Sequence, residues 1–297
     1  METAAGATQR KIHYKLNGSG GLVGTIGSGT TVSGASYIDG FKDASLCNSR
    51  LYRQGRVPMV RFGFTGPASP TVTSAIVGVQ TLPNTWTVRK AHQLALREYL
   101  RATKEERRRS GQARWHDFKV YYEDAHRSGT TLTPLGITTG NSEWNYSNID
   151  NTGGSTRTFK FIGATDSNCY GIIASYDNMA DQDDDSPDNT GTGLPYADLH
   201  PDVQVDNKEY LLNEGDAPPY NPEALQVQER LELIAIGSGK SDKLVSPWFP
   251  APCGLLKVTA AVSTSDSLSD DTMGAFFVEF AAGDYKGVHA TPMGLKL

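Results

Sequence analysis

The side chains best suited to chemistry in this sequence are basic ones grouped between Trp86 and Tyr122. Several recur at intervals of three, four and seven residues, which places them along one side of a helix: Lys90, Arg97, Arg101, Lys104 and Arg108. Arg107, Arg109 and Arg114 add further charge to the same stretch. Guanidinium and ammonium groups make charge-assisted hydrogen bonds to phosphate without reading base identity. The stripe therefore predicts sequence-nonspecific contact with a nucleic acid. The alternative is a solvated helix face whose charges are partly paired with nearby glutamates.

A second group of candidate ligands is the acidic run that contains Asp181, Asp183, Asp184 and Asp185. Carboxylate oxygens are the ligands that calcium prefers, but the run lacks the ordered D-x-D-x-D-G spacing and the closing glutamate of a calcium loop. A solvated acidic loop is the simpler interpretation. A divalent cation shared between subunits stays open, because its ligands would come from two chains.

The motifs of common enzymes are incomplete in this chain. Leu231–Ser241 ends in Gly-Ser-Gly-Lys-Ser, like a phosphate loop, but Ile234 stands where that loop needs a glycine, so a hairpin turn is favoured. Neither H-E-x-x-H nor G-x-S-x-G occurs, and Cys253 has the setting of a buried structural cysteine. We therefore expect no enzymatic activity. The alternative hydrolase would use paired carboxylates from a set of three: Asp202, Asp206 and Glu209.

The elements that would position these groups begin with one helix near residues 86–110. Opposite the basic stripe lies an apolar one with the same period: Val88, Ala91, Ala95, Tyr99 and Ala102. Thr85 or Thr87 supplies a cap, and Ser110-Gly111 supplies a stop. Alternation through Phe118–Tyr122 then predicts a strand. The sequence therefore predicts a helix that packs one face against the rest of the protein and presents the opposite face to an anion.

The remainder of the chain favours β structure. Charged residues make up 21% of the chain and glycines number 31, which suits a β protein with many turns. Between residues 21 and 85 no helix of ordinary length is predicted. Strands are predicted at Leu51–Phe64, Thr71–Val79, Phe159–Ile162, Gly171–Tyr176, Leu231–Ile236, Leu255–Ser263 and Ala275–Ala281. Together they predict a mainly β fold, an antiparallel jelly-roll sandwich with one prominent basic amphipathic helix inserted.

Charge and length divide the chain into an arm and one domain. Residues 1–20 read as a flexible arm with three basic side chains, and residues 21–297 as a single domain. The domain includes a long acidic loop near 177–222. Between residues 177 and 216 it contains twelve acidic residues and a single lysine, Lys208. Net charge is −5, so any polyanion contact must be local. No apolar run is long enough to predict a membrane partner.

Several segments, taken in order, resemble the capsid proteins of eukaryote-infecting circular Rep-encoding single-stranded DNA viruses. They are WHDFKVYYEDAH, EWNYSNI, FKFIGATDSNCYGIIASYDN and WFPAPCGLLKV. Pro250–Val258 is the most specific piece, followed by the block from Gly163 to Tyr176. Asn48–Arg56 and the basic helix are also similar to that family, so the resemblance covers roughly residues 48–290 by motif order.

The resemblance implies a jelly-roll subunit that assembles with copies of itself into an icosahedral shell around single-stranded DNA. The place of such a protein is the virion, with the host nucleus or cytoplasm as the site of assembly. No motif identifies a host receptor. Proteins of this family commonly begin with a long arginine-rich arm. In this sequence the corresponding segment has only three basic residues, Arg10, Lys11 and Lys15. Either the arm is short, or the basic stripe of the helix neutralises the DNA instead.

A monomeric β-sandwich module that binds carbohydrate or a cell surface is the alternative. Its stacking platform would consist of Trp144, Tyr146 and Trp248. Aromatic side chains are more often buried than displayed for a ligand. The oligomeric state separates the two interpretations.

Overall fold

A computed structural model describes residues 8–15, 31–65, 72–110, 115–129, 131–137, 144–150, 156–180, 229–236, 243–264 and 275–294. The protein is mainly β, with antiparallel sheets, one of which is curled into half a barrel. No helix in these ranges is both long and apolar enough to cross a membrane.

Fifteen strands are defined in the described residues: β1 Lys11–Lys15, β2 Thr31–Asp39, β3 Arg56–Thr65, β4 Val72–Thr81, β5 Asn148–Asp150, β6 Thr156–Lys160, β7 Cys169–Gly171, β8 Glu229–Ile236, β9 Lys243–Val245, β10 Phe249–Pro250, β11 Leu255–Thr264, β12 Ala275–Phe280, β13 Ala282–Gly283, β14 Gly287–Val288 and β15 Ala290–Pro292. The helices are α1 Gly40–Asn48, α2 Trp86–Ala102, α3 Lys104–Ser110, α4 Asp124–Ser128 and α5 Ile172–Ala180. A short 3-10 turn covers Pro252–Gly254.

The strands of the two large sheets pair in a nested order. β1 pairs with β12, β2 with β11, β3 with both β9 and β10, and β4 with β8, each time antiparallel. Further pairing of β12 with β3 and of β11 with β4 gives the sheet orders β1-β12-β3-β10 and β2-β11-β4-β8. In these sheets early strands therefore pair with late ones, and β4 and β8 form the innermost pair. The short strand β15 also joins the first sheet, beside β3. The turn predicted within Leu231–Ser241 lies outside the described residues, and the strands before and after it, β8 and β9, belong to different sheets.

Alternate residues of these strands fill the space between the sheets. On β3, Val60, Phe62 and Phe64 are buried, while Arg61 faces outward and pairs with Glu279 of β12 at 2.8 Å. Because successive side chains of a strand point to opposite faces, this period of two puts one face of each sheet into a shared core. Residues of both sheets belong to that hydrophobic cluster.

Residues 82–228 connect β4 to β8, and we call their described part the insertion. It contains α2 to α5 and the three-stranded sheet β5-β6-β7. A second hydrophobic cluster holds it together, in which Val88 and Tyr99 of α2 join Phe118, Phe161 and Ile173. We call the two large sheets and the core between them the sandwich. The insertion also packs on the sandwich, since residues of β11 and the 3-10 turn belong to the same cluster.

Two helices lie where the sequence predicts no helix. The interval 21–85 contains α1. Asp39 caps its start, where the Asp39 carboxylate accepts a hydrogen bond from the Lys42 backbone N–H at 3.1 Å. It ends at Ser49 in the left-handed conformation (φ 49°), where the usual glycine stop signal is missing. Gly171–Tyr176 is wrong as a strand, because α5 begins at Ile172 and buries Ile172 and Ile173 in the insertion core. Burial here overrides the strand preference of β-branched side chains.

Other predicted elements are present with changed form. The helix expected near 86–110 is divided into α2 and α3, with Thr103 between them. Phe118–Tyr122 is extended, but only Tyr121 forms a bridge, with Lys160, so it is not a strand. Lys11–Lys15, assigned to a flexible arm, forms β1 at the edge of a sheet. The strands predicted at Leu231–Ile236, Leu255–Ser263 and Ala275–Ala281 are confirmed to within two residues as β8, β11 and β12.

Candidate nucleic-acid interface

Helix α2 is fixed by a cap at its start and by its buried face. The Thr85 hydroxyl accepts a hydrogen bond from the Val88 backbone N–H at 3.5 Å. Val88, Ala91 and Tyr99 are buried, and α2 packs beside α5. Because these residues recur every three to four positions, one stripe of the helix is committed to the core and the opposite stripe faces outward.

The outward stripe carries most of the predicted phosphate contacts. Five of the basic side chains are exposed: Arg97, Arg101, Lys104, Arg108 and Arg109. Lys90 is half-buried. Arg101 pairs with Glu98 at 3.7 Å, but its side chain is 81% exposed, and such surface pairs contribute little. These groups can donate to phosphate oxygens with small loss of existing contacts.

Arg107 is committed to the protein rather than to a ligand. Its guanidinium turns back across the break between α2 and α3, where Nε donates to the Thr103 hydroxyl at 3.1 Å and Nη2 donates to the Leu100 carbonyl. The last carbonyls of a helix lack partners within the helix, and a cation there also opposes the helix dipole favourably. Arg107 therefore closes α2, which the charge pattern alone did not reveal.

The basic residues near the N-terminus belong to a different part of the molecule. Arg10 is exposed just before β1, and its carbonyl accepts a hydrogen bond from Phe280. The Lys11 ammonium lies 3.9 Å from the centre of the Phe277 ring on β12. The backbone of Lys15 pairs with Ala275 at the end of β1. These three residues are attached to the sandwich, whereas the helical stripe is attached to the insertion.

Other predicted site residues lie outside the described residues. They are Arg114, the candidate cation ligands Asp181, Asp183, Asp184 and Asp185, and the alternative hydrolase residues Asp202, Asp206 and Glu209.

An apolar groove runs beside the basic stripe, and the sequence did not predict it. Its volume is about 350 Å³, and it lies between α2, α5 and the sheet β5-β6-β7. Tyr99, Phe159 and Tyr170 supply aromatic rings to its walls. The guanidinium of Arg157 on β6 lies 5.1 Å from the centre of the Tyr170 ring. Arg157 is more than forty positions from the basic helix, so only the folded chain shows that both lie close to one groove.

Lys160 forms the most deeply buried ion pair of the insertion. Its side chain is 2% exposed, and its ammonium lies 2.5 Å from Asp124 Oδ2 and 2.6 Å from Asp166 Oδ2. Burial by itself lowers the pKa of Lys160, but hydrogen bonds to the two carboxylates outweigh it and raise that pKa. Asp124, Asp166 and Cys169 are spaced closely enough to hold a metal ion. The ammonium already supplies the positive charge between the carboxylates, so we assign a structural role.

A second buried polar cluster joins α1 to the insertion. The Asp39 carboxylate accepts hydrogen bonds from Gln54 Nε2 at 2.6 Å, Trp144 Nε1 at 3.0 Å and the Tyr146 hydroxyl at 3.2 Å. Burial raises the pKa of Asp39, and these donors oppose the rise. Nearby, burial raises the pKa of Asp43 to about 8. The cluster holds elements together, and no hydroxyl or thiol in it is arranged as a nucleophile.

The same contacts bear on the carbohydrate-binding alternative. Trp144 and Tyr146 direct their polar atoms to Asp39, and the Tyr146 ring stacks on Tyr121 with 3.8 Å between ring centres. Trp248 is 40% exposed and packs against Arg61 of the sandwich. Two of the three proposed platform residues are therefore engaged in packing.

Comparison with protein-family models, with curated proteins and with solved structures gives no match.

Proposed function

We propose that this chain is a viral capsid subunit that assembles with copies of itself into an icosahedral shell around single-stranded DNA. The observation that carries the proposal is the nested pairing of β1 with β12, β2 with β11, β3 with β9 and β10, and β4 with β8. In a jelly roll, two antiparallel sheets are built from strands that pair in this nested order, and that architecture is common in viral coats. The resemblance of Pro250–Val258 and the block from Gly163 to Tyr176 to capsid proteins of circular Rep-encoding viruses supports the same proposal.

The insertion fits the genome-binding part of this proposal. Connections between strands carry function on a rigid scaffold, and here the connection from β4 to β8 carries a helix with an apolar face inward and exposed cations outward. Contacts of that kind neutralise phosphates without base specificity. The proposed partner is therefore the single-stranded genome, and the proposed DNA-binding residues are Arg97, Arg101, Lys104, Arg108 and Arg109.

Size-exclusion chromatography with light scattering tests the assembly. The full chain should elute as particles of one defined mass, many times that of a single chain, and these particles should protect DNA from nuclease. A monomer peak under all salt conditions would favour the carbohydrate- or cell-surface-binding module instead.

The contribution of the helix to packaging is tested separately. Changing Arg97, Arg101, Lys104 and Arg108 together to glutamine should leave particles intact and reduce the nuclease-protected DNA. The matched control changes Arg10 and Lys11 to glutamine. If the control loses the DNA and the helix variant retains it, the N-terminal residues carry neutralisation.

A further inference from the structure

The groove beside α2 is bordered by positive charge on both sides. Residues seven positions apart on an α-helix differ by only about 20° around its axis. Arg101 is therefore nearly in line with Leu94, which lines the groove. On the opposite wall Arg157 lies over Tyr170. Neither arginine lines the groove itself, but Arg101 contacts Glu98 and Arg157 contacts Tyr170, which do. The Nε of Arg157 donates to the Ser167 carbonyl at 3.3 Å, and the rest of its guanidinium can serve a phosphate.

The walls of the groove suit a flat aromatic occupant. Phe159 lies 5.6 Å from Tyr170 and 6.0 Å from Tyr99, measured between ring centres. Most of the remaining lining is apolar, with Ile149 and Ile172 among it. Binding sites for small molecules combine such an apolar lining with a few placed polar groups, and they begin at about 300 Å³. The groove of about 350 Å³ is thus large enough for a single base.

Two polar side chains of the lining supply hydrogen-bonding capacity. Glu98 lies at the rim, where its only described ion pair is the 3.7 Å contact with Arg101. A carboxylate accepts hydrogen bonds from the exocyclic amino group of cytosine. Ser175 adds a hydroxyl, which lies 3.2 Å from the hydroxyl of Thr165. The groove therefore offers stacking surfaces and an acceptor between two cations.

We infer that this groove binds one unpaired base of the packaged strand, while the phosphates on either side of that base contact Arg101 and Arg157. The inference rests on the proposed function and adds a base-stacking subsite to its phosphate contacts. Charge complementarity decides the occupant, because an aliphatic chain or an apolar peptide would leave both rim cations unused. Stacking tolerates any base, so binding remains largely independent of sequence.

The test measures binding of two fluorescent oligomers to the full chain, at protein concentrations where light scattering detects no particles. One is a short oligodeoxycytidine, and the other is an abasic deoxyribose-phosphate strand of equal length and charge. Base stacking predicts that the oligodeoxycytidine binds about 5- to 100-fold more tightly. Ala102 lines the groove, and Ala102→Trp should fill it and remove the difference in affinity between the two strands. Ala125→Trp, at an exposed position of α4, is the matched control and should keep the difference.

Three outcomes would overturn the inference. Equal affinity of the wild-type chain for the two strands would show that bases take no part. A difference that survives Ala102→Trp would place the stacking elsewhere. If Ala102→Trp instead blocks particle formation and leaves oligomer binding unchanged, the groove is a contact between subunits. Particle formation by the same purified wild-type chain, followed by light scattering at higher protein concentration, tests the proposed shell independently of all three.

Discussion

The two hydrophobic cores of this protein are built on different rules. Between the large sheets, Phe62, Phe64 and Phe276 belong to regular alternating patterns on neighbouring strands. In the insertion, buried polar groups lie among the apolar ones. Lys160 is held by two carboxylates, and His92 is 2% exposed although neither ring nitrogen has a hydrogen-bond partner among the described residues. Burial lowers the pKa of His92 to about 4, which keeps the ring neutral.

This difference indicates that the sandwich is the more stable part of the protein and the insertion the less stable part. A buried polar atom without a partner costs free energy. Among the described residues the insertion holds three such side-chain atoms, on His92 and Tyr122, whereas the strands of the two large sheets hold one, Ser36 Oγ, and α1 holds one, Asp43 Oδ1. The insertion also carries the exposed cations and the groove. Segments that bind ligands are commonly drawn from the less stable parts of a fold. We therefore expect the insertion to open before the sandwich does.

The largest expected effect comes from truncating one phenylalanine in each core. Phe62→Ala should cost about 3–5 kcal/mol of unfolding free energy and abolish assembly, because its ring is fully buried between the sheets. Phe161→Ala is the matched change in the insertion, where the ring is equally buried. Urea unfolding gives the free energies, and hydrogen exchange shows where the chain opens.

For Phe161→Ala we expect faster exchange in α2 and α5, with β11 and β12 still protected. Uniformly faster exchange across both regions would mean that they unfold as one unit, and the comparison between the two cores would fail.

Next in size is the loss of the buried ammonium. Lys160→Met keeps much of the side-chain volume but leaves Asp124 and Asp166 facing each other without a cation. Since those carboxylates are 53% and 38% exposed, water offsets part of the cost, and we expect a loss of about 1–3 kcal/mol confined to the insertion. Thermal unfolding measures it. Lys257→Met, which removes the partly buried ammonium beside Glu123, is the control. It should cost less, because it leaves a single carboxylate that keeps the Tyr37 hydroxyl as a donor.

The pH dependence of stability should distinguish the α1 cluster from the rest. Burial raises the pKa of Asp43 to about 8, so the folded chain retains a proton there that the unfolded chain has lost. Stability from this group is complete below its unfolded pKa and is lost as pH rises toward about 8. Burial lowers the pKa of His126 to about 3, so the folded chain holds it neutral while the unfolded chain still loses a proton there above pH 6.5. That contribution is the same in the wild-type chain and in a variant of Asp43, and it cancels when the two are compared.

Between pH 6.5 and 8 the wild-type chain should therefore lose about 1.5 kcal/mol of unfolding free energy relative to Asp43→Asn. Asparagine keeps an acceptor for the Tyr14 hydroxyl, which donates to Asp43 at 2.7 Å. Denaturant unfolding at both pH values measures the change. If the unfolding free energies of the wild-type chain and Asp43→Asn change equally between the two pH values, Asp43 does not titrate in this range.

The smallest effect on stability should come from the exposed cations. Changing Arg97, Arg101, Lys104 and Arg108 to glutamine should alter the unfolding free energy by less than about 0.5 kcal/mol. The same change should reduce the slope of log affinity for single-stranded DNA against log salt by about 2–3. Salt titrations of DNA binding check the slope, and an unchanged slope would remove these residues from the interface.

The strands of the sandwich could be predicted from the sequence better than the structure of the insertion. Alternation gave the positions of β8, β11 and β12, because a strand with one buried face has a period of two. It did not give their order, since pairings such as Lys11 with Glu279 join residues far apart in the chain.

In the insertion, the sequence predicted the cations of α2 but neither the groove nor the role of Arg107. Ile172 and Ile173 resemble a strand locally, and only their burial in the insertion core explains the helix. Arg157 has no local signal at all, because its position beside Tyr170 depends on the pairing of β6 with β7.

Electron cryomicroscopy of the purified full chain tests the central claim most directly. The account predicts closed icosahedral particles of uniform diameter, with the two-sheet sandwich as the wall and the exposed cations of α2 and α3 directed toward density inside. Single copies without particles, or shells in which those cations point to the outer solvent, would contradict it.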